Sequence, residues 1–531
     1  MKTVLPTLLI TFSLSCFGLL PGSQAVSPPP DGGYPGGNTA EGENALLNLG
    51  SGFYNAGIGL DSLLSITDGS FCTGVGAGTL LVNTASENTA TGAGALLSNT
   101  TGAGNTANGT FALFNNTDAS NNTAVGASTL LFNTTGSENT AIGAEALETN
   151  VTGVDNTATG FQALMNNTSV DNTANGASAL RGNTTGSANT AVGSGALIFN
   201  TEGSSNTATG GSALFSNTTG DANTANGEEA LFANTTGAGN TGTGAAALAG
   251  NTTGFGNTAD GFQTLQNNTS GNGNTATGLA ALSSNTVGLE NTGLGFNALA
   301  ANIDGTNNTA VGSGALINSA GGDFNTAVGQ GALSNNTTGS SNIALGRLTG
   351  QGVTTANDVI CIGAQVDGAN VSNSCYIGNI HGESVDPGTG LSVFVDNAGK
   401  LGTTLSSRRF KRGIRPMDKS SEVVLALKPV SFYYRSDVKS TPQFGLVAEE
   451  VAEVNPDLVV RDKDGELLSV RYDQVNAMLL NEFIKEHRKV QGQEQEIDAL
   501  KTELREQRDL IRKMSDKLEM IQPALLLTKD S

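Results

Sequence analysis

A repeat of about 17 residues recurs from Asn38 to about residue 380, with the consensus N-T-A-x-G-x-x-A-L-x-x-N-T-T-G-x-x. A fixed period this short is typical of a solenoid, in which each repeat forms one turn and packs only on its neighbours. The repeat therefore predicts a stack of turns instead of a compact enzyme core. Full copies begin at Asn88, Asn105, Asn122, Asn139, Asn156, Asn172, Asn189, Asn206, Asn223, Asn240, Asn257, Asn274, Asn291, Asn308, Asn325 and Asn342.

Comparison of the internal copies shows which positions of the repeat are constrained. The alanine two places, the glycine four places and the leucine eight places after the first asparagine hardly vary, whereas the third place changes freely, as in Val192, Asn175 and Asp260. Small constant residues are expected to point inward, where backbones approach closely. The alternation over N-T-A-x-G therefore predicts a short β-strand that ends at a glycine bend, with the third place facing water.

The core that these repeats offer is small, since each turn contributes about one leucine and two alanines. Ordering each residue costs on the order of 1–2 kcal/mol, whereas burial of one leucine returns only about 1.5–3 kcal/mol. Stacked asparagine and threonine side chains are expected to help. We therefore expect several chains to share one core, and a trimer, with one wall from each chain, is the natural arrangement.

Charge divides the chain near residue 400. Four basic residues precede residue 401, against 25 acidic ones, whereas 22 basic and 22 acidic residues follow. An acidic surface repels phosphate, so nucleic acid is not expected as a partner of the repeats. The only histidines, His381 and His487, lie outside the main run of repeats, which excludes histidine triads and zinc sites there. No cofactor or metal is predicted.

The N-terminus has the pattern of a secretory signal. Lys2 precedes an apolar stretch over 4–20, and a small-x-small site predicts cleavage after Ala25, with a Pro/Gly-rich linker over 26–37. A lipoprotein signal through Cys16 and an uncleaved anchor are the alternatives. No later segment has the length of apolar sequence that spans a bilayer. The protein is predicted to be exported, either secreted or held at the cell surface.

Two residue types in the repeats have both a structural and a functional interpretation. Cys72, Cys361 and Cys375 remain after processing; Cys361 and Cys375 fit neighbouring rungs, and three separate buried thiols are the favoured alternative to a disulfide. Asn-x-Thr triplets, such as the ones that begin at Asn99 and Asn217, match glycosylation acceptors. Because the repeat itself forces these triplets, structural ladders of Asn and Thr are the preferred interpretation.

Three sequence blocks characterise the C-terminal part. They are L-S-S-R-R-F-K-R-G-I from Leu405, Q-F-G-L-V-A-E-E-V from Gln443 followed by N-P-D-L-V from Asn455, and V-R-Y-D-Q-V from Val470. In this order and spacing they resemble the peptidase S74 family, the intramolecular chaperone of endosialidase and phage tail spikes. The resemblance covers roughly residues 405–500.

The resemblance implies a cleavage site. The family motif is Ser-Asp-x-Arg-x-Lys, in which the serine and the lysine form a catalytic dyad. Placed on this sequence, Ser406 takes the serine position, Arg409 the arginine and Lys411 the lysine, which implies a cut between Ser406 and Ser407. Ser407 stands where the family has aspartate, which puts the efficiency of cleavage in question and makes Ser407 a competing nucleophile.

A serine–lysine pair is chemically suited to this reaction. A serine hydroxyl becomes a good nucleophile when a base removes its proton, and a lysine serves as that base when burial or neighbouring cations favour the neutral amine. Arg408, Arg409 and Arg412 crowd Lys411 in the sequence. The alternative interpretation is a solvated basic run over 408–415, and the two downstream blocks favour the family reading.

The domain after these residues is predicted to be a small α+β fold. A short helix over 423–427 precedes a strand over 429–434, and a turn at 462–465 joins the two arms of a hairpin. Glu449 and Glu450 are expected to be surface residues of a helix instead of a catalytic pair.

The last segment has a heptad pattern. Apolar residues spaced by seven occupy one seam position, with Leu500, Met514 and Ile521 at the intervening position, which predicts a coiled coil over 483–522. A helix lying on a membrane surface is the alternative. The residues spaced by seven are Phe483, Val490, Ile497, Leu504, Ile511 and Leu518.

Taken together, these features predict a mainly β fold. A repetitive β-solenoid or β-roll over 38–380, expected to be trimeric, is followed by a neck over 381–405, an α+β chaperone domain over 406–482, the coiled coil and a tail over 523–531. The repeats resemble the β-roll heads of trimeric autotransporter adhesins, although no membrane-barrel strands follow.

The predicted function is a secreted or surface fibre whose C-terminal domain assembles a homotrimer and releases itself as a serine endopeptidase that acts once, in cis. The alternatives are a trimerising domain that never cuts, an adhesin whose rod binds a surface glycan or protein, and a glycan-cleaving β-helix. The last is disfavoured because the repeats have no recurring pair of carboxylates.

Overall fold

This computed structural model describes residues 34–396, 399–462 and 464–526, with side chains up to residue 520. The predicted signal peptide lies outside the described residues. The chain divides between Glu383 and Ser384 into two compact units.

The first unit is a β-solenoid of about 20 turns, as the repeat predicts. Each repeat contributes one short strand, which pairs in parallel and in register with the strand of the next repeat, as Thr190 does with Thr207. The strands are β1 Thr39–Glu41, β2 Ala56–Ile58, β3 Thr73–Val75, β4 Thr89–Thr91, β5 Thr106–Asn108, β6 Thr123–Val125, β7 Thr140–Ile142, β8 Thr157–Thr159, β9 Thr173–Asn175, β10 Thr190–Val192, β11 Thr207–Thr209, β12 Thr224–Asn226, β13 Thr241–Thr243, β14 Thr258–Asp260, β15 Thr275–Thr277, β16 Thr292–Leu294, β17 Thr309–Val311, β18 Thr326–Val328, β19 Ile343–Leu345, β20 Val359–Ile362 and β21 Ser374–Ile377.

The backbone of each turn follows the constant residues of the repeat. The third-place residue is exposed, as at Val192, and the following glycine adopts a positive φ, 134° at Gly210. A Cβ on Gly210 would lie 2.4 Å from the carbonyl oxygen of Gly227 in the next turn, so only glycine fits there. The core leucines also adopt the left-handed region, with φ 52° at Leu214, which the sequence pattern does not reveal.

The solenoid core is closed within one chain. Ala208, Ala213 and Leu214 of one turn are all 0% exposed in the single chain. The expectation that several chains share this core is therefore wrong as a packing argument, because the core leucines and alanines of a turn are already buried by their own chain. A trimer, if it forms, has to be held together elsewhere.

Two buried ladders of asparagine side chains add hydrogen bonds between turns to the small apolar core. Asn206 donates its backbone N–H and its Nδ2 to Oδ1 of Asn189 in the preceding turn, at 3.0 and 3.1 Å, and its Nδ2 also donates to the Gly220 carbonyl at 2.9 Å. In the second ladder, Asn217 Nδ2 donates to Asn200 Oδ1 at 2.7 Å. A buried amide that is hydrogen-bonded in this way avoids the desolvation penalty of an unpaired group.

These ladders bear out the structural interpretation of the Asn-x-Thr triplets. Asn99 and Asn217 are 0% exposed, and the threonine beside the second-ladder asparagine donates its hydroxyl to the next turn, as Thr201 Oγ1 does to the Thr218 carbonyl at 3.1 Å. In the folded solenoid, the amides of the ladder asparagines are therefore inaccessible to a glycan, whereas Asn-x-Thr triplets that begin one place earlier, as at Asn121 and Asn267, have an exposed asparagine.

The three cysteines are free thiols. Cys361 and Cys375 lie on neighbouring rungs, as predicted, but Cys375 pairs with Ile360, so the two residues are offset by one place and their side chains point to opposite faces. Cys72 and Cys361 are buried and Cys375 is exposed, which corrects the prediction of three buried thiols.

The second unit is a small α+β fold that continues into a long helix. Two 3-10 helices cover Arg408–Phe410 and Asp418–Ala426, and a third covers Pro456–Leu458. The hairpins are β22 Phe394–Val395 with β23 Leu401–Gly402, β24 Val430–Phe432 with β25 Gln443–Gly445, and β26 Val459–Arg461 with β27 Leu467–Val470. The α-helices are α1 Ala448–Val454 and α2 Tyr472–Leu526.

The predicted local elements of this unit are present. The helix expected over 423–427 is the end of the second 3-10 helix, and the expected hairpin turn joins β26 to β27. Glu449 and Glu450 are exposed on α1, as predicted. Val451, Leu458, Val459, Val470 and Val475 form its small core.

Candidate functional site

A 3-10 turn directly after the β22–β23 hairpin forms the candidate site. Ser407 precedes this turn, and its carbonyl accepts the Phe410 N–H at 3.0 Å, while the Arg408 carbonyl accepts the Lys411 N–H at 3.1 Å. These bonds fold the chain back on itself, so that Lys411 approaches a residue five places earlier.

The turn brings together two of the four residues identified from the sequence. Lys411 Nζ lies 3.1 Å from Ser406 Oγ, within hydrogen-bond distance. A protonated lysine donates in this contact, and a neutral lysine in the same position would accept the serine proton. The arrangement is therefore the one that a lysine needs to activate a serine.

The other two residues have different surroundings. The Arg409 guanidinium lies over the Phe410 ring, 4.6 Å from its centroid, which is a cation–π contact. The Ser407 side chain makes no capping hydrogen bond to the turn. Neither side chain contacts the Ser406–Lys411 pair through a hydrogen bond in the described part of the chain.

All four side chains are exposed in the single chain. Phe410, at 51% exposure, and the neighbouring Leu405 and Ile414, at 61% and 56%, are exposed as well. A polar pair beside exposed apolar side chains is the surface that a further protein element could cover, and covering it would remove water from the lysine and the serine.

Tyr472 and Arg471 of the third sequence block form hydrogen bonds to the second block, and the sequence alone did not show this role. The Tyr472 hydroxyl accepts the Leu446 N–H at 3.0 Å. Arg471 donates its backbone N–H to the Leu458 carbonyl at 2.8 Å and its Nε to the Val459 carbonyl at 3.1 Å. The third block therefore ties the two parts of the second block together.

A polar cluster fixes the second 3-10 helix to α2. Ser421 is 0% exposed; its hydroxyl bonds to the Glu482 carboxylate and accepts from Asn481 Nδ2 at 2.6 Å. Lys485 donates to the same carboxylate at 2.6 Å. Lys485 and then Ser421 lower the pKa of Glu482, and the carboxylate raises the pKa of Lys485. Ser421 and Glu482 are 61 residues apart in the sequence, so no local sequence pattern could have identified this cluster.

Residues 406–460 match the family model for the chaperone of endosialidase, Peptidase_S74. The match begins at Ser406 and includes Lys411 and the second block, and it confirms the resemblance of the C-terminal part. No curated protein and no solved structure matches the chain. The match covers a minor part of the chain and does not reach the repeats.

The solenoid and the matched segment together define the class of the protein. It is a tail-fibre-like protein, with a β-solenoid rod followed by an endosialidase-type chaperone domain. Among the described residues, no helix has both the length and the apolar composition needed to cross a membrane.

Proposed function

We propose that the C-terminal domain assembles three copies of an exported fibre and then releases itself by cutting between Ser406 and Ser407. The contact between Lys411 Nζ and Ser406 Oγ at 3.1 Å, inside the segment that matches the endosialidase chaperone, carries this proposal. Hydrolysis consumes one water and leaves a carboxylate on Ser406 and an amine on Ser407. Neutral Lys411 takes the Ser406 hydroxyl proton as the serine oxygen bonds to the scissile carbonyl carbon, and it gives that proton to the Ser407 nitrogen as the C–N bond breaks. The water then hydrolyses the ester that remains.

Assembly is proposed to begin at α2. The residues of the heptad seam are exposed in the single chain, with Ile497 at 49%, Leu504 at 59% and Leu518 at 63%. Burial of such a seam against other copies is the usual source of coiled-coil stability. Association at one end would also bring equivalent turns of the copies to the same height.

Cleavage is proposed to follow assembly. Ser406 and Lys411 are exposed in the single chain, and a lysine becomes an effective base when it is removed from water. Coverage by the other copies would supply that environment only in the assembled protein. Cleavage would remove α2 and its seam, so the fibre would stay trimeric only through contacts between copies made before the cut, and its nucleus for reassembly would be gone.

A second candidate function is a permanent trimerisation cap on a structural or adhesive fibre. Ser407 in the place of the family aspartate favours this alternative. The rod would then carry the biological role, with a surface ligand of its own. Cleavage therefore has to be measured directly.

Residues 26–531 should be expressed as wild type and as the Ser406→Ala, Lys411→Ala and Ser407→Ala variants, and intact masses measured under denaturing conditions. We expect a fragment beginning at Ser407 in the wild type, none with Ser406→Ala or Lys411→Ala, and a cut chain with Ser407→Ala. An uncut wild-type chain would exclude self-cleavage and support the permanent trimerisation cap.

A further inference from the structure

A ridge of large side chains runs along the first half of the solenoid, nine places after the first asparagine of each repeat. Its members are stacked in successive turns, because the residue one place later donates its N–H to the ridge carbonyl of the next turn, as Ser216 does to Phe232 at 3.0 Å. Phe215 and Phe232 stack with ring centroids 5.0 Å apart. The same column begins earlier, at Leu64 and Leu81, and the nine turns that follow are called the ridge here. The ridge consists of Leu97, Phe114, Leu131, Glu148, Met165, Arg181, Ile198, Phe215 and Phe232, all half-buried.

The ridge contains two charged residues, and they flank its centre. Glu148 lies one turn before Met165, and Arg181 lies one turn after it. Arg181 and Arg347 are the only lysine or arginine residues between 34 and 383. In the described part of the chain, neither Glu148 nor Arg181 forms a salt bridge, and burial, followed by the neighbouring Glu145, raises the pKa of Glu148. A half-buried pair of opposite charges therefore remains uncompensated within one chain.

Two copies of the ridge laid against each other in opposite directions would have matching residues at every position. A two-fold axis through Met165 would place Glu148 of one copy opposite Arg181 of another, because turns of parallel strands are evenly spaced by about 4.8 Å. The same axis would place Leu131 opposite Ile198, Phe114 opposite Phe215 and Leu97 opposite Phe232. Each pair beyond the charges is apolar.

We propose that the ridge binds the ridge of a second copy of this chain in antiparallel orientation, with Met165 on the two-fold axis. Such an isologous contact makes every interaction twice. A parallel, in-register contact would instead oppose Glu148 to Glu148 and Arg181 to Arg181, which like-charge repulsion disfavours. The charges therefore select the antiparallel arrangement.

The orientation has a functional consequence beyond assembly of one fibre. Chains that are zipped from the same C-terminal coiled coil run parallel, so an antiparallel contact joins two different fibres. Nine turns extend only about 40 Å, and an interface of that length and one side chain in width is in the range of weak, transient complexes. Several ridges on each fibre would add avidity. The ridge is thus a homophilic adhesion site, through which fibres on two opposing surfaces would bind each other.

Charge reversal on coloured beads tests the arrangement. Beads of two colours carry residues 26–531 with Ser406→Ala, which keeps the chain whole, and clustering is counted by microscopy. We expect wild-type beads to cluster and Glu148→Arg or Arg181→Glu beads to cluster at least tenfold less with themselves. A mixture of the two single variants should cluster again, which also shows that both variants are folded.

The double variant separates antiparallel from parallel pairing. Glu148→Arg/Arg181→Glu beads should cluster with themselves but not with wild-type beads, since their charges then clash in the antiparallel contact. Glu202→Arg, an equal charge change at an exposed site off the ridge, should leave clustering unchanged. Clustering of the double variant with wild type, or wild-type beads that stay dispersed, would overturn the proposal.

Discussion

The two units bury their apolar side chains to very different degrees. In the solenoid, Leu214 and the leucines equivalent to it are at most 6% exposed, whereas in α2 the seam residue Leu504 is 59% exposed. The solenoid turn is completed by its own backbone, its alanines and its asparagine ladders. The C-terminal unit has only a small valine-rich core and leaves a long apolar seam uncovered. The repeats therefore bury their core within one chain, whereas the C-terminal unit leaves exposed the apolar seam on which the proposed assembly depends.

Polar residues make this difference possible. A repeat that is poor in large apolar residues still forms a dry interior, since its asparagines satisfy one another along the stack. The heptad region has no such device, because a helix satisfies its own backbone and leaves its side chains to find partners. The first unit therefore has the more complete core, and the second has the apolar surface through which we propose that assembly occurs.

The largest effect should come from polar substitutions in the seam. Ile497→Asp/Leu504→Asp would place carboxylates where apolar side chains of several copies should pack, so we expect complete loss of the oligomer and, with it, of cleavage. Light scattering and intact mass measure the two outcomes. Gln495→Asp/Thr502→Asp, on the opposite side of the heptad, is the matched control and should retain both.

Adjacent glycines in the solenoid give the next largest effect. Gly210→Ala places a Cβ 2.4 Å from the Gly227 carbonyl oxygen at a φ of 134°, whereas a Cβ on Gly211 meets nothing within 4 Å. The backbone strain alone costs on the order of 1–3 kcal/mol, and the overlap adds to it. Hydrogen exchange should show local loss of protection around Gly210→Ala and little change for Gly211→Ala. Equal effects of both variants would refute this reading of the turn.

Much of the solenoid could be predicted from the sequence, because each copy repeats the same constraints. The period, the short strand and the exposed third place of the repeat are all read from positions that vary or stay constant, and the structure confirms them. The closed core could not be predicted by counting leucines and alanines. Asn206 and Asn217 contribute as core residues only through hydrogen bonds to other turns, which a composition does not reveal.

One break in the second ladder predicts a pair of opposite effects. Ser319 occupies an asparagine position, and Asn302 Oδ1 and Ser319 Oγ have no hydrogen-bond partner in the described structure. Asn336 Oδ1 also lacks a partner there, because the ladder position of the next turn is Val353. Asn217→Ser would create the same break and should destabilise by about 1–3 kcal/mol. Ser319→Asn should repair the native one and stabilise by about 1 kcal/mol.

Urea unfolding followed by circular dichroism measures both variants against wild type. The comparison is a matched one, because each substitution exchanges the same two residues at equivalent positions of the ladder. A Ser319→Asn chain that is less stable than wild type would contradict the ladder account, since the added amide would then lack the partners expected for it.

The smallest effect concerns pH and the second unit. Lys485 and Ser421 hold the pKa of Glu482 below its ordinary value of 4.5. A group with a lowered pKa in the folded state stabilises that state above its ordinary pKa, and this contribution is lost as pH falls through the lowered value. We expect the stability of the second unit to fall below about pH 4.5 and the slope to be shallower in Glu482→Gln. If wild type and Glu482→Gln lose stability with the same pH slope, the Glu482 carboxylate does not contribute to the pH dependence.

The candidate site was only partly predictable from the sequence. The family motif identified Ser406 and Lys411, and these two side chains are in contact because a 3-10 turn lies between them. The exposure of the pair depends on what covers it, which one sequence does not show. The Ser421 cluster joins segments too distant in the chain for any local pattern.

The most direct test of the central claim is the native mass of residues 26–531 carrying Ser406→Ala, in which the C-terminal unit cannot leave. We expect three copies in one particle, because the solenoid is closed within each chain while the seam of α2 is not. A folded monomer at micromolar concentration would contradict the account, since the exposed seam would then have no partner to assemble.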